Sequence, residues 1–92
     1  MRYAVLPPFE KTFQKLIPQD KKAVKEAIRW LITFYETGQR PAGLGLKKLT
    51  EDIWEIRAGI RLRILFTIEG DLLTWGIVGS HDQIRKFLKS AR

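Results

Sequence analysis

The chain has one histidine, His81, placed after Gly79-Ser80 at the end of a β-branched and aromatic stretch. Imidazole is the side chain best suited to give and take protons near neutrality. Upstream, Arg61 and Arg63 alternate, and guanidinium groups suit phosphate because they stay charged and donate two parallel hydrogen bonds. Glu55 alternates with Arg57 and offers either a second proton-transfer group or a cross-strand partner for an arginine. Cleaving RNA through its own 2′-hydroxyl needs a base for that proton, an acid for the 5′-oxygen and a cation where the phosphate gathers charge. Those four residues contain the parts. The plainer reading is a histidine beside a helix cap and arginines on the solvated face of a half-covered sheet.

Two hairpins position these groups. Ile53–Arg57 runs through Ala58-Gly59 into Arg61–Ile68, and Glu69-Gly70-Asp71 turns into Leu72–Val78. Both linkers carry glycine, and the flanks are rich in strand formers. Alternation puts Leu62, Ile64, Phe66 and Ile68 on a core face and Arg61, Arg63, Leu65 and Thr67 on the other. Trp54 shares its face with Ile56, and Trp75 is expected to pack on the helices rather than stack on a base. Ser80 and Gln83 make a capping box for a closing helix with Ile84, Phe87 and Leu88 on its apolar side.

Before the hairpins, Arg2–Leu6 reads as a strand stopped by Pro7-Pro8, which opens a helix carrying Phe9, Phe13, Leu16 and Ile17. Pro18 starts a longer helix whose stripe is Val24, Ala27, Ile28, Leu31, Phe34 and Tyr35, up to a left-handed cap at Gly38. Lys21, Lys22, Lys25, Glu26 and Arg29 form its solvated face. A glycine- and proline-containing loop leads to a short strand at Leu46–Leu49. The order β-α-α-β-β-β-β-α makes the class α+β: a helical hairpin on one face of a mainly antiparallel sheet, with a short C-terminal helix and with Arg61 and Arg63 on the opposite face.

Ninety-two residues form one domain, 1–92, with a single core. Without cysteine there are neither disulfides nor thiolate metal sites, and no metal constellation is visible. No signal peptide or membrane-spanning run is present, so a cytoplasmic protein is expected. Seventeen Lys and Arg against ten Asp and Glu give +7, which points to polyanions or an acidic partner. Lys86, Lys89 and Arg92 give the closing helix a basic end.

The helical hairpin, then Leu46-Lys47-Lys48-Leu49, Ile53-Trp54-Glu55-Ile56-Arg57 and Arg61-Leu62-Arg63-Ile64-Leu65-Phe66, resembles the RelE/ParE superfamily of toxins from type II toxin–antitoxin pairs. Val78-Gly79-Ser80-His81 followed by Phe87 is most similar to its YafQ-like branch. The resemblance implies metal-independent mRNA cleavage on the ribosome without a cofactor, neutralised by a small acidic antitoxin. It puts Arg63 at the strand arginine that contacts the scissile phosphate and His81 at the histidine of proton transfer. Phe87 falls near an aromatic used for stacking or catalysis, and Glu55 stands on the strand where RelE proper has lysines. Arg61, Lys47, Lys48, Lys86 and Lys89 are the remaining candidate RNA contacts. A free monomer that forms a hetero-complex with its antitoxin is expected, with the closing helix the element most readily displaced. The alternatives are a ParE-like gyrase inhibitor and an inactive basic protein that binds RNA or an antitoxin.

Overall fold

Proline sets the start of both N-terminal helices, at Pro7 and Pro18, where a missing N–H costs nothing. The computed structural model describes residues 1–90; Arg92 lies outside them. The elements run β1 (Arg2–Val5), α1 (Pro7–Gln14), α2 (Pro18–Thr37), β2 (Lys47–Lys48), β3 (Ile53–Ala58), β4 (Leu62–Glu69), β5 (Leu72–Ser80) and α3 (His81–Ser90). This is the expected α+β order. The strands form one open sheet, β1-β5-β4-β3-β2, antiparallel except where β1 runs parallel to β5. Gly38 ends α2 with φ 77°, and its N–H donates to the Phe34 carbonyl.

The main core lies between the sheet and the α1–α2 pair. Val24, Ala27 and Leu31 of α2 meet Ile56, Ile64, Phe66 and Leu73 of the sheet. Trp75 sits between Phe9 of α1 and Phe66, with ring centroids 6.3 and 5.4 Å away, so it is core as expected. Partly buried Trp54 packs on the edge of the same cluster.

Two features depart from simple alternation. The β4–β5 register slips between Leu65 and Phe66: Leu65 pairs with Ile77 and Phe66 with Trp75, leaving Gly76 as the extra residue of a bulge. The slip reverses parity along β5. Trp75 and Val78 both face α1 and α2, while Ile77 and Gly79 face the other side with Leu65 and Arg63. Past the end of β1, the Val78 N–H donates to Thr12 Oγ1 at 3.2 Å, so α1 supplies the partner the edge lacks.

The second departure concerns that other side. Helices on one face only were expected, with cations on the opposite one. Instead Leu65 and Ile84 are each about 2% exposed yet lie outside the main core, and α3 packs on β4 and β5. The C-terminal helix therefore covers the second face where β4 and β5 present Leu65. No helix among the described residues is long and apolar enough to cross a membrane.

Candidate active site

The β3–β4 connection is a three-residue loop, Gly59-Ile60-Arg61, because Ala58 pairs with Leu62. Gly59 takes φ 69°, as the tight return demands. This loop length decides what the arginines do. Arg61 falls in the turn rather than in β4, and its Nη2 reaches Asp20 of α2 at 3.5 Å, on the helical side. It does not share a face with Arg63.

The residue that does is Arg57. The register places Arg57 directly opposite Arg63, and Arg63 opposite Gly79. Cβ atoms of such facing pairs lie about 5 Å apart, so the two side chains leave the sheet from one rung. Neither forms an ion pair among the described residues. Arg63 is half-buried and donates from Nη1 to the Leu62 carbonyl at 3.3 Å, while Arg57 is exposed. The Arg57 stem folds against Gly45, where an added Cβ would stand 2.8 Å from its Cγ. Like charges facing each other across a ladder destabilise a sheet. A bound anion would remove that cost.

Glycine keeps the other end of this row clear as well. A Cβ on Gly79 would lie 2.8 Å from Gln83 Oε1, so α3 turns back tightly over the end of β5. Gln83 Oε1 accepts from the Ser80 N–H at 2.8 Å, and the Gln83 N–H donates to Ser80 Oγ at 3.2 Å. This is the expected capping box. It fixes His81 as the first residue of α3, exposed, one position beyond Ser80 and two beyond Arg63's neighbour Gly79.

Glu55 occupies the next row, half-buried between Lys47 on β2 and Leu65 on β4, on the same face as Arg57 and Arg63. Lys47 belongs to this face. Lys48 does not: it pairs with Trp54, and its ammonium stands 5.7 Å from that ring. Lys86 and Lys89 line an outer depression of α3 with Asp82 and Arg85, away from the arginine row. Phe87 is half-buried at helical spacing from Ile84 and so belongs to the packing side of α3. The structure thus gathers Arg63, Glu55 and Lys47 on one face with His81 at its rim, and separates Arg61, Lys48, Lys86 and Lys89 from them.

No family model matches the sequence, and no curated protein matches it. Solved structures do match in fold. A copper-bound mutant toxin from Helicobacter pylori superposes with a TM-score of 0.73 at 18% identity, over 91% of this chain and 98% of that one. A chain of the RelB–RelE antitoxin–toxin complex from Methanococcus jannaschii gives 0.70 at 19%, over 91% and 96%. YafQ from Escherichia coli gives 0.66 at 13%, over 91% and 98%. The chain has the RelE/ParE toxin fold. In this example of that fold, the face between β2 and α3 carries the paired arginines, a carboxylate one row away and the histidine at the helix head.

Proposed function

We propose that the chain is the toxin of a type II toxin–antitoxin pair and that it cleaves mRNA on the ribosome without a metal. The observation that supports this reading most is the Arg57–Arg63 pair, two cations on one rung with no carboxylate partner among the described residues, with the only imidazole in the chain two positions beyond Gly79, which faces Arg63. Arg63 and Arg57 bind the scissile phosphate and stabilise its pentacoordinate transition state. The 2′-oxygen attacks phosphorus as its proton passes to a base, and the P–O5′ bond breaks as the leaving oxygen gains a proton. The products are a 2′,3′-cyclic phosphate and a 5′-hydroxyl. His81 carries one proton transfer, and Glu55 is the candidate for the other. Lys47 contributes a backbone phosphate contact on the same face.

The net charge of +7 suits both an RNA substrate and an acidic antitoxin. Structural neighbours solved as RelB–RelE and DinJ–YafQ complexes support such a partner. Induced expression in a bacterial host tests the reading. Growth arrest in which amino-acid incorporation falls before any DNA-damage response supports it. Arrest led by DNA damage with mRNA intact points to a gyrase-type toxin, and unimpaired growth contradicts the toxin role.

A further inference from the structure

The fold treats its three tryptophans differently. Trp75 is enclosed between Phe9 and Phe66, and Trp54 carries the Lys48 ammonium 5.7 Å from its ring. Trp30 has neither kind of partner among the described residues and stays 39% exposed. A large ring left open on a helix gains by being covered. The residues around it decide what can cover it.

Trp30 lines a cleft at the edge of the sheet. Ala23 and Glu26 precede it on the α2 wall, and Gly43, Arg57 and Gly59 form the opposite one. Strand β2 pairs only as far as Glu55, so a loop takes over the edge here, and the Arg57 N–H donates to the Leu44 carbonyl at 2.9 Å. A Cβ on Gly59 would stand 3.6 Å from the Ala23 Cβ, so helix and turn nearly touch at one end. Apart from alanines and glycines, the lining consists of three large side chains, Trp30, Glu26 and Arg57. The volume of about 210 Å³ is below the roughly 300–1,000 Å³ of sites for drug-sized ligands, and it suits a single planar ring system.

Glu26 is half-buried here. Lys22 and Arg29 lie within about a turn of it on α2, yet it forms no ion pair among the described residues. Glu26 and Trp30 are four positions apart, so carboxylate and ring are neighbours on one helix surface. Arg57 belongs both to this wall and to the rung it shares with Arg63. A charged peptide side chain suits this mixture badly, since an acidic one meets Glu26 and a basic one meets Arg57. A nucleotide uses all three groups, with its base against the ring and the carboxylate and its phosphate on the guanidinium.

We propose that the cleft takes one unpaired guanine of a single-stranded RNA. The base stacks on Trp30, its adjacent N1–H and N2–H groups donate to the Glu26 carboxylate, and Arg57 holds a phosphate of the same strand. Guanine is the base that fits, because only its Watson–Crick edge presents two neighbouring donors. Adenine and cytosine set an acceptor beside their amino group, and uracil flanks its one N–H with two carbonyls. Because Arg57 is shared, the bound base lies beside the phosphate gripped by the arginine row, and the cleft selects sequence context without taking part in proton transfer. That placement rests on the RNA-cleaving reading above; the preference for guanine does not.

Strands that cannot be cut test the cleft by itself. Fluorescently labelled 2′-O-methyl oligonucleotides U-U-N-U-U, which have no free 2′-hydroxyl to attack, are titrated with the full chain and followed by anisotropy, and unlabelled ones by tryptophan emission. The strand with guanine at N should bind at least about tenfold more tightly than those with adenine, cytosine or uracil, and should quench the emission. Trp30→Leu should weaken the guanine strand at least about fivefold and remove the quench, while Trp30→Phe should restore most of the affinity. Glu26→Gln keeps the shape but replaces one acceptor with a donor. It should bring the four strands within about twofold of one another without weakening the uracil strand. Equal affinity for all four strands in the wild type overturns the proposal, as does a guanine preference that Glu26→Gln leaves intact. Guanine preference in a chain that leaves cellular mRNA intact would refute the cleaving function alone, and cleavage by a chain without that preference would refute the cleft alone.

Discussion

Arg57 and Arg63 face each other across one rung of the sheet, and that placement makes two opposite predictions for one substitution. Arg57→Thr removes a like-charge pair and keeps a good strand former, so thermal unfolding should show stability unchanged or raised by about 0.5 kcal/mol. The same variant should bind a short single-stranded RNA at least tenfold more weakly by fluorescence anisotropy. Unaltered RNA binding would show that the pair is not an anion site. His81 is exposed at the head of α3, so His81→Ala should shift stability by less than about 0.5 kcal/mol while lowering cleavage roughly 10²- to 10⁴-fold. The types of these residues were readable, and so was the face of Arg63. Arg57's partner was not, because register follows loop length: a turn at Ala58-Gly59 and a loop over Gly59–Arg61 differ little in sequence, yet only the second sets Arg57 opposite Arg63 and sends Arg61 to Asp20.

α3 is held by little. One of its residues, Ile84, is fully buried, and its start depends on the Ser80–Gln83 box. Ser80→Ala should cost about 1 kcal/mol. Gly79→Ala should cost a similar amount by pushing Gln83 off the Ser80 N–H, since the added Cβ would meet Oε1 at 2.8 Å. Chemical denaturation measures both. Native-state hydrogen exchange should find α3 opening well before β4, whose Ile64, Leu65 and Phe66 are buried from both sides; slowest exchange in α3 would refute its role as the displaceable element. The capping box was legible because its spacing is a local signal. The bulge at Gly76 was not, because parity along β5 is fixed by its partner strand. Without that slip Ile77 and Leu65 would not meet under α3, and the second face looked bare.

The molecule as a whole divides its work by face. Helices α1 and α2 build the core on one side, so Phe66→Ala should cost about 3–5 kcal/mol, a large share of a small domain's stability. The other side is shared between α3 and the arginine row, and the +7 charge predicts RNA affinity that falls steeply as salt rises. Overall class was legible because each helix and hairpin carries its own period, caps and turns. The placing of α3 on the second face depends on long-range packing, which Leu65 and Ile84 reveal only together. The central claim, that Arg57, Arg63 and His81 form an RNA-cleaving site, is tested most directly by primer-extension mapping of mRNA 5′ ends after induced expression. Wild type should create new ends inside translated frames, and these should disappear with Arg63→Ala and with His81→Ala while each variant stays folded. Cleavage that persists at full strength in both variants would contradict the site.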